Sequence, residues 1–108
     1  MESEDNTIKV SAKSNPGSYI FEGKEKLKSK GSVAFHAIGG SIVNAVRASE
    51  RLIDLGYATL TKFETSCIDE KDFNGQPRKV YKVVLQLART PDFDSIYDEF
   101  EKKRATKN

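Results

Sequence analysis

The sequence predicts an α+β two-layer sandwich, in which a mixed four-stranded sheet carries helices on one face. The elements follow the order β-α-β-α-β-β, with a short C-terminal helix after them. Three observations lead there. Between Ser32 and Ile53 an apolar run (Val33, Phe35, Ala37, Ile38) gives way to the three-and-four spacing of Ile42, Ala45, Val46, Ser49, Leu52 and Ile53. The change of period falls at Gly39-Gly40, where a strand feeds a helix. Further on, Val80 to Ala88 alternates, with Tyr81, Val83, Leu85 and Leu87 on a face turned to the helices and Lys82 and Gln86 on the other. Twice, at Ser14-Asn15-Pro16 and Thr90-Pro91-Asp92, a capping residue precedes a proline, as at the start of a helix.

In order along the chain, Thr7 to Ala12 alternates Ile8 and Val10 with polar residues and predicts the first strand. The helix opened by Pro16 places Tyr19, Ile20, Gly23 and Leu27 on one face and ends near Lys30-Gly31. Strand two covers about 32–38 and helix two about 41–55, with Gly56 as its left-handed C-cap. Tyr57 to Ile68, rich in Thr, aromatic and β-branched residues, predicts strand three. Asp69 to Lys79, which contains Asn74-Gly75 and Pro77, predicts a turn-rich hairpin loop. Strand four follows, and Phe93, Ile96, Tyr97 and Phe100 mark the short last helix. Residues 1–6 form an acidic tail, 7–90 a single domain, and 91–108 the C-terminal helix and basic tail.

Charge is distributed unevenly. Residues 7–90 hold 14 Lys and Arg against 8 Asp and Glu, a net +6, while residues 1–6 and 91–101 carry only acids and Lys102, Lys103, Arg104 and Lys107 follow. The single cysteine, Cys67, excludes an intramolecular disulfide, and with the single histidine, His36, it leaves too few soft ligands for a metal site. No nucleophile–base pair or phosphate loop of known spacing is present, so neither an enzyme nor a cofactor is expected. No apolar run approaches the roughly 20 residues that span a bilayer. The acidic N-terminus resembles no leader, and an intracellular, soluble protein, cytoplasmic and/or nuclear, is expected.

The stretch AIGGSIVNAVRASERLIDLGYATLTKFETS, the charged loop after it and KVYKVVLQLA resemble the Alba nucleic-acid-binding proteins, especially their short eukaryotic members. The strand IKVSA and the helix opened by Pro16 are similar to the family's opening, so the likeness spans about residues 7–90. It implies a non-enzymatic dimer, with itself or with another Alba-type chain, that binds RNA and/or DNA and needs no membrane or small-molecule substrate. The alternative is a protein–protein adaptor or an RNase P-like ribonucleoprotein subunit on the same fold. The binding regions it implies are Lys13, Ser14 and Asn15 before the first helix, the junction Ile38 to Asn44 with Gly39, Gly40, Ser41 and Asn44, and the hairpin arm with Lys71, Arg78 and Lys79. Ser14-Asn15 stands where archaeal members carry a lysine pair. The uncharged junction is closer to the eukaryotic branch, whose members often bind RNA.

The remaining candidates each admit two readings. Lys24, Lys26, Lys28 and Lys30 either complement the C-terminal dipole of the first helix or contact phosphates, and Lys24, Lys28 and Lys30 are carried forward as contacts. Arg47 and Arg51 on helix two pair with Glu50 and Asp54 or reach across a dimer. Leu55, Tyr57 and Phe63 are the apolar part of that dimer contact, or ordinary core. Phe73 at the hairpin tip stacks on an unpaired base or folds back as an anchor. His36 is expected to be a packed or partly exposed strand residue and not a base or ligand, and Cys67 a small core residue.

Overall fold

A computed structural model describes residues 6–11, 13 and 16–106. The expected Ser14 and Asn15 contacts lie outside the described residues. The elements are β1 (Thr7–Lys9), α1 (Pro16–Lys30), β2 (Ser32–Ile38), a 3-10 turn (Gly39–Ser41), α2 (Ile42–Asp54), β3 (Ala58–Lys71), β4 (Pro77–Arg89) and α3 (Phe93–Thr106). The sheet order is β1-β2-β4-β3, with β1 parallel to β2 and the other pairs antiparallel. A parallel pair needs a crossover, and α1 supplies it.

Alternation builds the core. Val33, Phe35 and Ala37 of β2 and Val83, Leu85 and Leu87 of β4 point one way and are buried against Tyr19 and Leu27 of α1 and Ala45, Ala48 and Leu52 of α2. The opposite face of the sheet carries no helix. At the end of α2, Tyr57 N–H donates to the Leu52 carbonyl (3.0 Å) and Gly56 N–H to that of Ile53 (3.0 Å), a left-handed stop in which Gly56 has φ +89°.

Four expectations need correction. The segment 69–79 is not a loop. β3 and β4 stay paired through Lys71↔Pro77, and only residues 72–76 form the turn, where the Asp72 carboxylate accepts from the amides of Asn74 and Gln76 (2.9 Å each). Backbone pairing, the Asp72 turn and one ion pair sustain this arm, which lies outside the hydrophobic core. The radius of gyration, 15.7 Å, accordingly exceeds the about 13 Å of a compact chain this long.

For the same reason Tyr81 is not in the buried row of β4. It lies on the arm, opposite Cys67, and is 68% exposed, and Cys67 is exposed rather than core. The last helix is not short. It runs to Thr106 and takes in Lys102, Lys103 and Arg104.

Candidate nucleic-acid interface

The turn from β2 into α2 is a bare corner. Gly39 adopts φ +58°, a conformation that favours glycine, and a Cβ added to Gly39 or Gly40 would meet nothing within 4 Å. Both glycines are exposed, and no side chain of their own stands over the turn. Ser41 closes the corner from inside. Its hydroxyl accepts from Ile38 N–H (3.0 Å) and donates to the Ile38 carbonyl (2.8 Å), so the buried Ser41 braces the corner instead of offering the hydroxyl to a ligand.

Ser11 gathers the neighbouring elements at this end. Its N–H donates to the Tyr19 hydroxyl (2.7 Å), its hydroxyl accepts from Lys13 N–H (3.1 Å), and its carbonyl accepts from Asn44 Nδ2 (3.1 Å). The end of β1, the start of α1 and the first turn of α2 are thereby fixed together. Lys13 is exposed, with its backbone amide tied to Ser11, and Asn44 serves as a brace.

Sequence reasoning missed three charged or ionisable residues here. Parallel pairing sets Lys9 opposite His36, and antiparallel pairing sets Lys82 opposite Ile38, two residues on. Their side chains line one hollow together with Ser11, Ile38, Gly40 and Ser41. Burial pushes the His36 imidazole below its ordinary value, and Lys82 and then Lys9 push it further. Alternation already placed all three away from the helices, but only the strand order makes them neighbours.

On the arm, Lys79 pairs with Asp69 (3.4 Å), and Arg78 lies across from Glu70. Lys71 and Arg78 are exposed and form no ion pair among the described residues. Phe73 at the tip is fully exposed, so it does not fold back as an anchor.

The lysines of α1 lie elsewhere. Lys24 is 7% exposed, its Nζ 3.8 Å from the Phe100 ring centre and 5.5 Å from that of Tyr57. Burial pushes its ammonium below the ordinary lysine value, against the pull of Glu101. The Lys28 Nζ is 4.5 Å from the Tyr97 ring centre, and the Tyr97 hydroxyl donates to Glu25 (2.7 Å). The expected phosphate contact at Lys24 is thus corrected. Its charge is taken up by the aromatic rings of the C-terminal elements. Lys28 and Lys30 lie where α1 runs into β2, and β2, of 7 residues, separates that end from the corner by about 23 Å.

The Alba family model matches residues 6–70. This chain belongs to the Alba family. Among solved structures, ALBA1 from Trypanosoma brucei superposes with a TM-score of 0.79 at 26% identity, covering 94% of this chain and 84% of that one. Alba from Thermoplasma volcanium gives 0.68 at 20% identity, covering 78% and 100%. No curated protein sequence matches the chain. Family membership implies a protein of the nucleic-acid-binding type.

This Alba domain also leaves an apolar face uncovered. β3 is the edge strand, and Leu60 and Phe63 lie on its helix side, opposite the buried Leu87 and Leu85, yet are 47% and 54% exposed. Val43, Val46 and Ile53 of α2 and Leu55 just beyond it are exposed as well. Arg47 and Arg51 are exposed and form no ion pair among the described residues, so the intrahelical pairing with Glu50 or Asp54 is not formed. Tyr57 does not belong to this face. It is buried with its ring 5.4 Å from Phe93, which makes it core.

Proposed function

We propose that this Alba-family protein binds RNA or DNA as a dimer, chiefly through the phosphate backbone and without catalysis. The observation that carries the reading is the bare Gly39-Gly40 corner, with the exposed Lys13 tied by its backbone amide to Ser11, which also bonds Asn44 at the start of α2. Backbone amides at a helix start and a flanking cation suit a phosphate oxygen. The exposed cations of the arm, Lys71 and Arg78, extend that surface, and exposed Phe73 is free to stack on an unpaired base.

Dimerisation is supported by the apolar residues left open on α2 and β3, which a second copy or another Alba-type chain would cover. Among the described residues no helix is long and apolar enough to cross a membrane, and no group of three or more His, Cys, Asp and Glu could hold a metal ion. A role in RNA metabolism, translation control or chromatin fits a binder of this kind in the cytoplasm or nucleus.

The test is a salt titration of binding to single-stranded RNA and duplex DNA, followed by fluorescence anisotropy, with the oligomeric state read by sedimentation. Affinity that falls linearly on a log–log plot, carried by a dimer, supports the reading. Salt-independent binding, or none at low salt, contradicts it and leaves a protein–protein adaptor on the same fold.

A further inference from the structure

The helix-free face of the sheet holds positive charge beyond the surface just described. Lys9 from β1, His36 from β2 and Lys82 from β4 border one hollow that opens onto Gly40 and Ser41. Direct cross-strand neighbours stand about 5 Å apart at Cβ and diagonal ones about 7–8 Å. Lys9 and His36 are direct neighbours, and Lys82 is diagonal to His36. Lys9 and Lys82 come from the strands on either side of β2, and their long stems can bring both ammonium groups to one phosphate beside His36.

We propose that Lys9, His36 and Lys82 form a phosphodiester subsite that carries the nucleic-acid backbone from the glycine corner onto the open sheet face, with His36 as its pH-sensitive member. This rests on the nucleic-acid-binding reading and deepens it. Charge complementarity selects the occupant. Among the described residues the acid lining this region is Glu64 of β3, and it is paired with Lys62 at 3.5 Å. Free of ligand, His36 is disfavoured as a cation by burial and by the two lysines. An anion between the three groups reverses that repulsion, so binding takes up a proton and tightens as pH falls through the ordinary histidine range.

The experiment measures anisotropy of a labelled single-stranded RNA oligomer against salt, at about pH 7.5 and about pH 5.5. It uses wild type, Lys9→Gln, His36→Gln, Lys82→Gln and, as an equal charge change on α3, Lys103→Gln. Lys9→Gln and Lys82→Gln should each make the log–log slope shallower by about 0.7, which is about fivefold weaker binding at about 0.1 M salt. His36→Gln should bind like wild type at the higher pH and lose the tightening at the lower one. Lys103→Gln should follow wild type throughout.

If wild type binds but the three sheet variants match it in slope and pH response, the subsite is overturned and the broader reading stands. If wild type binds no nucleic acid, both fail. The NMR titration of His36 separates the ligand sources. A raised midpoint with the oligomer supports the subsite, and a rise with inorganic phosphate alone overturns its assignment to the polymer.

Discussion

The Lys24 ammonium lies 3.8 Å from the centre of the Phe100 ring, joining the middle of α1 to the C-terminal helix. That contact turns a residue with the composition of a phosphate binder into part of the packing. Lys24→Met keeps the aliphatic stem and removes the charge, so it should change stability by about 1 kcal/mol or less and leave the salt slope of nucleic-acid binding unchanged. A slope shallower by about 0.7–0.9 would return Lys24 to the binding surface.

Two glycines separate backbone strain from steric clash. At Gly56, φ +89°, a Cβ would sit 2.8 Å from Ile96 Cδ1, whereas at Gly39, φ +58°, it would meet open space. Gly39→Ala should cost about 1 kcal/mol from the left-handed conformation alone, and Gly56→Ala more, about 2 kcal/mol or above. Urea unfolding of both variants checks the order.

Alkaline pH should loosen the attachment of α3. The hydrogen bond to Glu25, with burial and nearby acids, pushes the Tyr97 hydroxyl up to about 12 from 10.0. The folded state therefore holds this proton more tightly than the unfolded chain. The stability it contributes is intact below pH 10 and is lost as pH rises from 10 toward 12. In Tyr97→Phe that part of the alkaline limb should flatten, as read by thermal melts across the range. An unchanged limb would contradict the assignment.

Charge placed on the open apolar face should block association and spare the fold. Val46→Glu and Phe63→Glu alter side chains that are already exposed in the single chain. Sedimentation should show monomers with a normal circular-dichroism spectrum. RNA affinity should drop by about tenfold or more as the two linked sites are parted. Dimers that persist in both variants would place the interface elsewhere.

Order and periodicity made most of the fold legible. The apolar spacing of α2, Gly56 at its end and the Pro16 start of α1 are local signals, and the structure has them where the sequence puts them. The arm was misjudged because Asp69 to Lys79 has the composition of a loop, and pairing between two strands without a core leaves no apolar alternation to read. Lys24 and Tyr57 stayed open between two readings because the rings that cover them, Phe100 and Phe93, come from the far end of the chain. The corner was legible from Gly39-Gly40. Lys9, His36 and Lys82 were not, since their proximity follows from β1 and β4 flanking β2, a fact of sheet order.

The central claim is that nucleic acid meets the glycine corner and the arm, not the lysines of α1. Backbone amide shifts of the labelled protein, followed by NMR as single-stranded RNA is added, test it most directly. The account predicts the largest changes at residues 9–13, 36–44 and 71–82, with 93–106 unmoved. Saturable binding that shifts 16–30 and 93–106 while leaving Gly39 to Ser41 in place would contradict it.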